Sequence, residues 1–281
     1  MYKNSNIDAA KIADKKFGQN FLKDRSVLNK IVEAIPNDGL PLVEIGPGLG
    51  DLTGQLIQVG NVRAYEVDKR LCEYLKNEFK DAISSGTLEL ICKDITKHSG
   101  SLYESSYSLI ANLPYYIATN IILNGLRDSN CKHILVMVQK EVAQKFAANV
   151  GDKNFGSLAI LSQSVADVKL LFDVPPNAFV PPPKVTSAIL YINKRDSLKD
   201  KEFESFLKVA TKQPRKTIYK NLSSSYNKEL LQNIFTKLDI KQNARAHELD
   251  LSVYHHLYND LIKDRIDGKE QSRTDSNSSS S

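Results

Sequence analysis

Val43-Glu44-Ile45-Gly46-Pro47-Gly48-Leu49-Gly50 decides how this chain is read. Leu42, Val43 and Ile45 form a short apolar run of the kind that makes a buried strand. The glycines after it permit backbone conformations and close approaches that a Cβ would block. Leu52, Leu56 and Ile57 then recur at helical spacing. Strand, glycine-rich turn and helix in this order put the turn at the carboxyl edge of a parallel sheet, where nucleotide-like ligands dock. On its glycines alone, the stretch also fits an ordinary strand-to-helix loop.

The details narrow the choice. A dinucleotide fingerprint requires G-x-G-x-x-G; Gly46 and Gly48 fill the first two positions, but Asp51 stands at the third. No P-loop Gly-Lys-Ser/Thr is present. The E-x-G-x-G-x-G form led by Glu44 resembles motif I of S-adenosylmethionine (SAM) methyltransferases. A second strand, Val62 to Val67, carries Glu66 at its end, with Asp68 following. A ribose-binding carboxylate belongs about 20 residues beyond the first glycine. The competing reading of Glu66 is a surface charge.

At 281 residues the chain exceeds a typical single domain, so one large and one small domain are expected. A hydrophobic fraction of 41% is enough for a sizeable core, and the net charge of +5 permits a polyanionic partner without requiring one. Cys72, Cys92 and Cys131 lack metal-ligand spacing. As an odd, scattered set they read as reduced thiols, and they imply a cytoplasmic protein without a metal centre. No apolar run approaches the roughly 18 residues of a membrane span, and the polar N-terminus does not read as a secretory signal.

Residues 1–16 read as flexible and basic. A helix follows with Val27, Leu28, Ile31 and Val32 on one face, ended by the Pro36 to Pro41 turn. From 42 to 138 strands and helices alternate, which predicts a parallel sheet with right-handed crossovers. Its later strands are Leu88–Cys92 ending near Asp94, Tyr107–Ala111 running into Asn112, and His133–Val138. Ser157–Val165 reads as a helix, and Val168–Phe172 with Ala188–Ile192 as a final antiparallel pair. Between that pair lies a proline-rich, apolar loop containing Phe179. The fold class expected is α/β, a Rossmann-like domain over 1–194. A smaller α-helical domain over 195–267 and a disordered tail over 268–281 complete it.

Asn112-Leu113-Pro114-Tyr115 follows the fourth strand and so shares a sheet edge with Gly46, Glu66 and Asp94. Methylation of an exocyclic amine explains the grouping. The nitrogen lone pair is delocalised into the base ring and attacks a methyl group poorly. Hydrogen bonds from both N–H groups to the Asn112 side-chain oxygen and a backbone carbonyl near Leu113 favour a pyramidal nitrogen with its lone pair aimed at the methyl donor. Tyr115 is suited to stack on a base that has left its helix. Taken alone, the same four residues read as an Asn-capped turn. Phe179, stiffened by flanking prolines, is the candidate for the other face of the base, or else a core phenylalanine. No Cys-Pro pair accompanies these motifs, which disfavours the thiolate route to carbon methylation of cytosine.

With those residues in view the chain resembles the ribosomal RNA adenine N6-dimethyltransferase family. The matching stretches are Phe17 to Leu22, Val43 to Gly50, Asn112 to Tyr115, Gln139 to Val142 and Pro181 to Ser187. The resemblance implies a class I SAM methyltransferase fold with SAM as cofactor. It implies cofactor contacts from Gln19, Asn20, Leu22, Gly46, Gly48, Glu66, Asp94 and Asn112, with Asp94 on the cofactor's adenine amine. It assigns Asn112, Leu113, Pro114, Tyr115 and Phe179 to the reacting base. Within the family the pattern resembles the bacterial small-subunit branch more than the large-subunit macrolide-resistance branch. The implied activity is dimethylation of two adjacent adenosines near the 3′ end of small-subunit rRNA. The implied partner is the immature small ribosomal subunit, met by a monomer. A large-subunit rRNA adenine methyltransferase, a DNA adenine methyltransferase and a non-catalytic assembly factor on the same fold stay open beside it. Tyr116, Pro214 and His247 depart from the family pattern.

The helical domain has its own signal. From Lys208 through Lys220 there are five basic residues, Lys208, Lys212, Arg215, Lys216 and Lys220, and no acidic one. Pro214 suits the first turn of a new helix, which would set Arg215, Lys216 and Lys220 against RNA phosphates beside N-terminal amides. A solvated basic face is the competing reading.

Overall fold

A computed structural model describes residues 9–14 and 18–262. The Phe17 end of the first motif, most of the N-terminal basic stretch and the 268–281 tail lie outside the described residues. The strands are β1 (Phe21–Leu22), β2 (Leu42–Ile45), β3 (Val62–Glu66), β4 (Leu88–Cys92), β5 (Tyr107–Asn112), β6 (Cys131–Gln139), β7 (Ala166–Val174), β8 (Phe179–Val180) and β9 (Ser187–Lys194). Helices α1 (Ala9–Ile12), α2 (Arg25–Glu33), α3 (Thr53–Leu56), α4 (Lys69–Glu78), α5 (Lys80–Ser84), α6 (Ala118–Arg127), α7 (Lys140–Ala147) and α8 (Ser157–Val165) fall between or beside them. The C-terminal helices are α9 (Lys201–Ala210), α10 (Ile218–Leu222), α11 (Lys228–Lys237) and α12 (251–262).

Seven strands form one sheet in the order β4-β3-β2-β5-β6-β9-β7. The first five pair in parallel, and β9 and β7 add an antiparallel edge. The order reverses at β2, whose neighbours are β3 and β5, so a crevice opens at the carboxyl ends of these strands. Leu42, Val43, Ile45, Leu109, Ile110 and Val136 are buried in the middle strands, as expected where helices cover both faces of a parallel sheet.

The turn after β2 is held by sterics. Gly50 has φ +82°, and a Cβ there would stand 2.4 Å from the Phe79 ring. Gly48 has φ +60°, and its Cβ would stand 3.0 Å from the Phe21 ring. Both positions therefore need glycine for conformation and for space. The helix that follows is shorter than its leucine spacing implies, since α3 covers only Thr53–Leu56.

Two features are not visible in the sequence. The proline-rich loop contains β8, which pairs antiparallel with β1 and sets Leu22 opposite Phe179. Lys23 and Asp24 extend that contact by donating backbone N–H bonds to Ala178 O. Second, Cys72 on α4 and Cys92 ending β4 meet as a disulfide pair, with Cα atoms 6.1 Å apart. The scattered-thiol reading therefore holds only for Cys131, which is free and buried. Neighbouring strand and helix bring together cysteines that lie 20 residues apart in sequence.

Packing divides the chain into two compact units. One runs to Ala147 and resumes over Val165–Leu198; the other takes Ala148–Ser164 and the chain from Lys199 on. The sequence alone places the boundary at 194/195 and leaves Ala148–Ser164 in the first domain. Hydrogen bonds account for the difference. Gly151 N donates to His247 O, and Ser164 Oγ bonds the His255 ring. The helical unit is cored by Phe203, Phe206, Leu207, Leu231, Phe235 and Tyr254.

Candidate active site

A cavity of about 240 Å³ opens within the sheet unit at the carboxyl ends of β2, β3, β4 and β5. Its wall includes Gln19, Asn20, Leu22, Gly46, Gly48, Glu66, Asp94, Asn112, Leu113, Pro114 and Tyr115. These residues come from separate stretches of the chain, and the strand order is what unites them.

Glu66 ends β3 and is only 4% exposed. Its Oε1 accepts the backbone N–H of Val67 and Asp68, both at 2.9 Å, and its Oε2 accepts that of Gly48 at 3.2 Å. Burial pushes this carboxyl up, and the three amides oppose the shift. The surface-charge reading of Glu66 is excluded by that burial. Asp68 caps α4 and accepts from Arg70 and from Gln19 Nε2 at 3.2 Å. Gln19 in turn accepts Asp14 N at 2.8 Å, so the N-terminal motif is tied to the end of β3.

Asp94 follows β4 and caps a short 3-10 turn over Ile95–Lys97. Oδ1 accepts both the Thr96 amide and the Thr96 hydroxyl, which hold the carboxyl below its usual range. Oδ2 has no such bond among the described residues and stays a ready acceptor.

Asn112 ends β5. Its Nδ2 donates to Asn20 O at 3.1 Å. A carbonyl oxygen can be met only by the amide NH₂, so this contact fixes which way the side chain is turned. The Asn112 Oδ1 accepts no hydrogen bond among the described residues, and Asn112 lines the cavity. Leu113 N donates to Met137 O, and Pro114 O accepts Ile117 N, so the motif's turn is held by backbone bonds. The Tyr115 hydroxyl bonds Ser187 Oγ at 2.9 Å, and burial raises its phenol.

Phe179 is placed differently from its expected role. It is 3% exposed, sits in the apolar cluster with Leu22, Leu28 and Ala178, and is absent from the cavity wall. The β1–β8 pairing draws its ring inward. Sequence reasoning names Glu44 only as the head of the glycine motif and Asp51 only as a departure from the dinucleotide fingerprint, and gives neither a bonding role. Glu44 is 1% exposed in β2, accepts the Thr53 hydroxyl at 2.6 Å, and burial pushes its carboxyl up to about 8. Asp51 pairs with Lys23 at 2.7 Å across the N-terminal motif. A lone acid in an otherwise apolar strand is the available signal for Glu44; for the Lys23–Asp51 pair there is none.

In the helical unit, Lys208, Lys212, Arg215, Lys216 and Lys220 are all exposed. Pro214 does not open a helix. It lies in a turn, α10 starts at Ile218, and Thr217 is its cap. Arg215 and Lys216 therefore precede the cap rather than flank the first-turn amides. Buried Asn221 pins this turn by donating Nδ2 to Ala210 O and Gln213 O, and Ile218 N donates to Ala244 O. Among the described residues no group of three or more His, Cys, Asp or Glu could hold a metal ion. No helix among them is long and apolar enough to cross a membrane.

The sheet order, the glycine turn and the strand-end carboxylates define a Rossmann-like class I SAM-dependent methyltransferase. Residues 11–263 match the ribosomal RNA adenine dimethylase family, and the chain belongs to it. A ribosomal RNA small subunit methyltransferase A of Sulfurimonas denitrificans is 56% identical over 88% of this chain and 93% of its own length. The crystal structure of a dimethyladenosine transferase from Plasmodium falciparum superposes with a TM-score of 0.73 at 27% identity, covering 86% of this chain and 98% of that one. That of the 23S rRNA methyltransferase ErmE gives 0.67 at 23% identity, over 86% and 100%, a likeness of fold.

Proposed function

We propose that this chain transfers methyl groups from SAM to N6 of two adjacent adenosines near the 3′ end of small-subunit rRNA, two methyl groups to each. The carrying observation is the orientation of Asn112, whose amide NH₂ is spent on Asn20 O and whose Oδ1 remains for a substrate N–H. The 56% identity to a small-subunit methyltransferase supports that substrate over a large-subunit one.

The cavity fits SAM by donor set. Glu66 would accept from the ribose hydroxyls, Asp94 from the adenine amine, and the Gly46–Gly48 turn would leave room for the chain of the ligand. SAM supplies an electrophilic methyl group. The protein supplies orientation. Asn112 Oδ1 and the Leu113 carbonyl take the two N6 hydrogens, which turns the nitrogen lone pair out of the base plane. Tyr115, its hydroxyl anchored on Ser187, offers a ring face to the base. Asn112 is not a base, since an amide has no useful basicity near neutrality; the extra proton leaves the methylated nitrogen for solvent. The second transfer to the same nitrogen has one N–H left and uses one acceptor.

The exposed basic turn around Arg215 would meet rRNA phosphates in the immature small subunit, with the protein acting as a cytoplasmic monomer. Tritium transfer from labelled SAM tests the reading. Small subunits from cells lacking this gene should be labelled far better than naked rRNA, large-subunit rRNA or duplex DNA. Label on a large-subunit adenosine would overturn the substrate assignment.

A further inference from the structure

We propose that Tyr116 is a second substrate-contacting aromatic, a platform on which the nucleobase beside the target adenosine stacks; this rests on the substrate reading above. Of the aromatics on the cavity wall, Phe21 and Tyr65 are buried and Tyr115 is half-buried with its hydroxyl engaged. Tyr116 is 63% exposed and is the one exposed aromatic on that wall among the described residues. Its hydroxyl has no hydrogen-bond partner among the described residues. One ring edge lies over Gly18, 3.7 Å from where a Cβ there would stand. The backbone of Gly18 thus supports the ring without covering it.

An apolar ring this open gains nothing from the fold. It loses hydration cost only when something flat covers it. The neighbouring residues define what that is. Tyr115, adjacent in sequence, lines the cavity that takes the target base, so Tyr116 stands where the chain of the substrate enters. The substrate presents two adjacent adenosines, and whichever one is in the cavity leaves its neighbour at the mouth. Stacking is tolerant of base identity because every base has a π face, so one ring serves both registers. Phe179, buried at 3% exposure, does not compete for the role.

The test uses the full chain and unmethylated small subunits from cells lacking the gene. Tyr116→Ala should raise KM for the particle roughly tenfold, the effect of losing one base–aromatic stack. SAM affinity by calorimetry should stay at the wild-type value, and Tyr116→Phe should restore KM. Mass spectrometry of rRNA digested after reaction at a particle concentration below KM should show both adenosines under-methylated by the alanine variant. A Tyr116→Ala enzyme with wild-type KM and complete products would overturn this assignment alone. Equal loss in the alanine and phenylalanine variants would overturn it too, by showing that the hydroxyl and not the ring matters. No transfer by the wild-type chain would overturn the substrate reading and this assignment with it.

Discussion

Glu66 and Asn112 each end a strand, Asp94 follows one, and each is held by bonds that leave an oxygen able to accept from a ligand. This division of labour separates binding from chemistry. Replacing Glu66 with alanine should weaken SAM binding markedly, because the carboxylate matches two adjacent hydroxyl donors; calorimetry reads this directly. Replacing Asn112 with alanine should lower kcat at saturating SAM roughly 10²–10³-fold, the usual cost of one preorganised hydrogen-bond partner. Single-turnover rates at saturating SAM check it, and wild-type rates would remove Asn112 from the chemistry. Glu44 makes a different prediction. Its folded pKa, about 8, lies above the usual 4.5, so the folded state holds a proton that the unfolded state releases. The stabilisation is complete below the unfolded value and is lost as pH rises through about 8. Over that interval the slope is at most about 1.4 kcal/mol per pH unit. Glu44→Gln, which keeps an acceptor for Thr53, should flatten the fall of Tm between about pH 5.5 and 8. An unchanged slope would show that Glu44 titrates normally.

At the scale of elements, the turn between β2 and α3 does the most. Its tightness depends on Phe79, at the end of α4, filling the space beside Gly50. Gly50→Ala combines a disfavoured φ with a Cβ in the Phe79 ring, and overpacking alone costs roughly 1–3 kcal/mol. Urea unfolding should show a midpoint lowered accordingly; an unmoved midpoint would mean the ring yields freely. The antiparallel β1–β8 pair is the other informative element. It joins the N-terminal motif to the proline-rich loop by setting Phe21 opposite Val180, so two distant stretches of the sheet unit meet beside the cavity. Both motifs are legible in the sequence as separate stretches. Their pairing is not, because a two-residue strand carries no periodicity to detect.

For the whole molecule, the net charge of +5 is small, and its usefulness lies in where the cations stand. Neutralising Arg215, Lys216 and Lys220 together should weaken binding to small subunits and flatten its salt dependence, since each phosphate contact adds roughly 0.7–0.9 to the logarithmic slope. SAM affinity should not change. An unaltered salt slope would return those residues to a solvated face. The alternation of strand and helix, the glycine turn and the acids and amide at the ends of β3, β4 and β5 are legible in sequence. Each is a local pattern of apolar period, backbone freedom or residue type, and together they determined the fold class and the candidate cavity. Only the tertiary structure decided the rest. Phe179 turned inward because β8 found β1, Ala148–Ser164 joined the helical unit through bonds to His247 and His255, and Cys72 met Cys92 across α4 and β4. Those outcomes depend on contacts between residues far apart in the chain, and no local pattern encodes which distant partner wins.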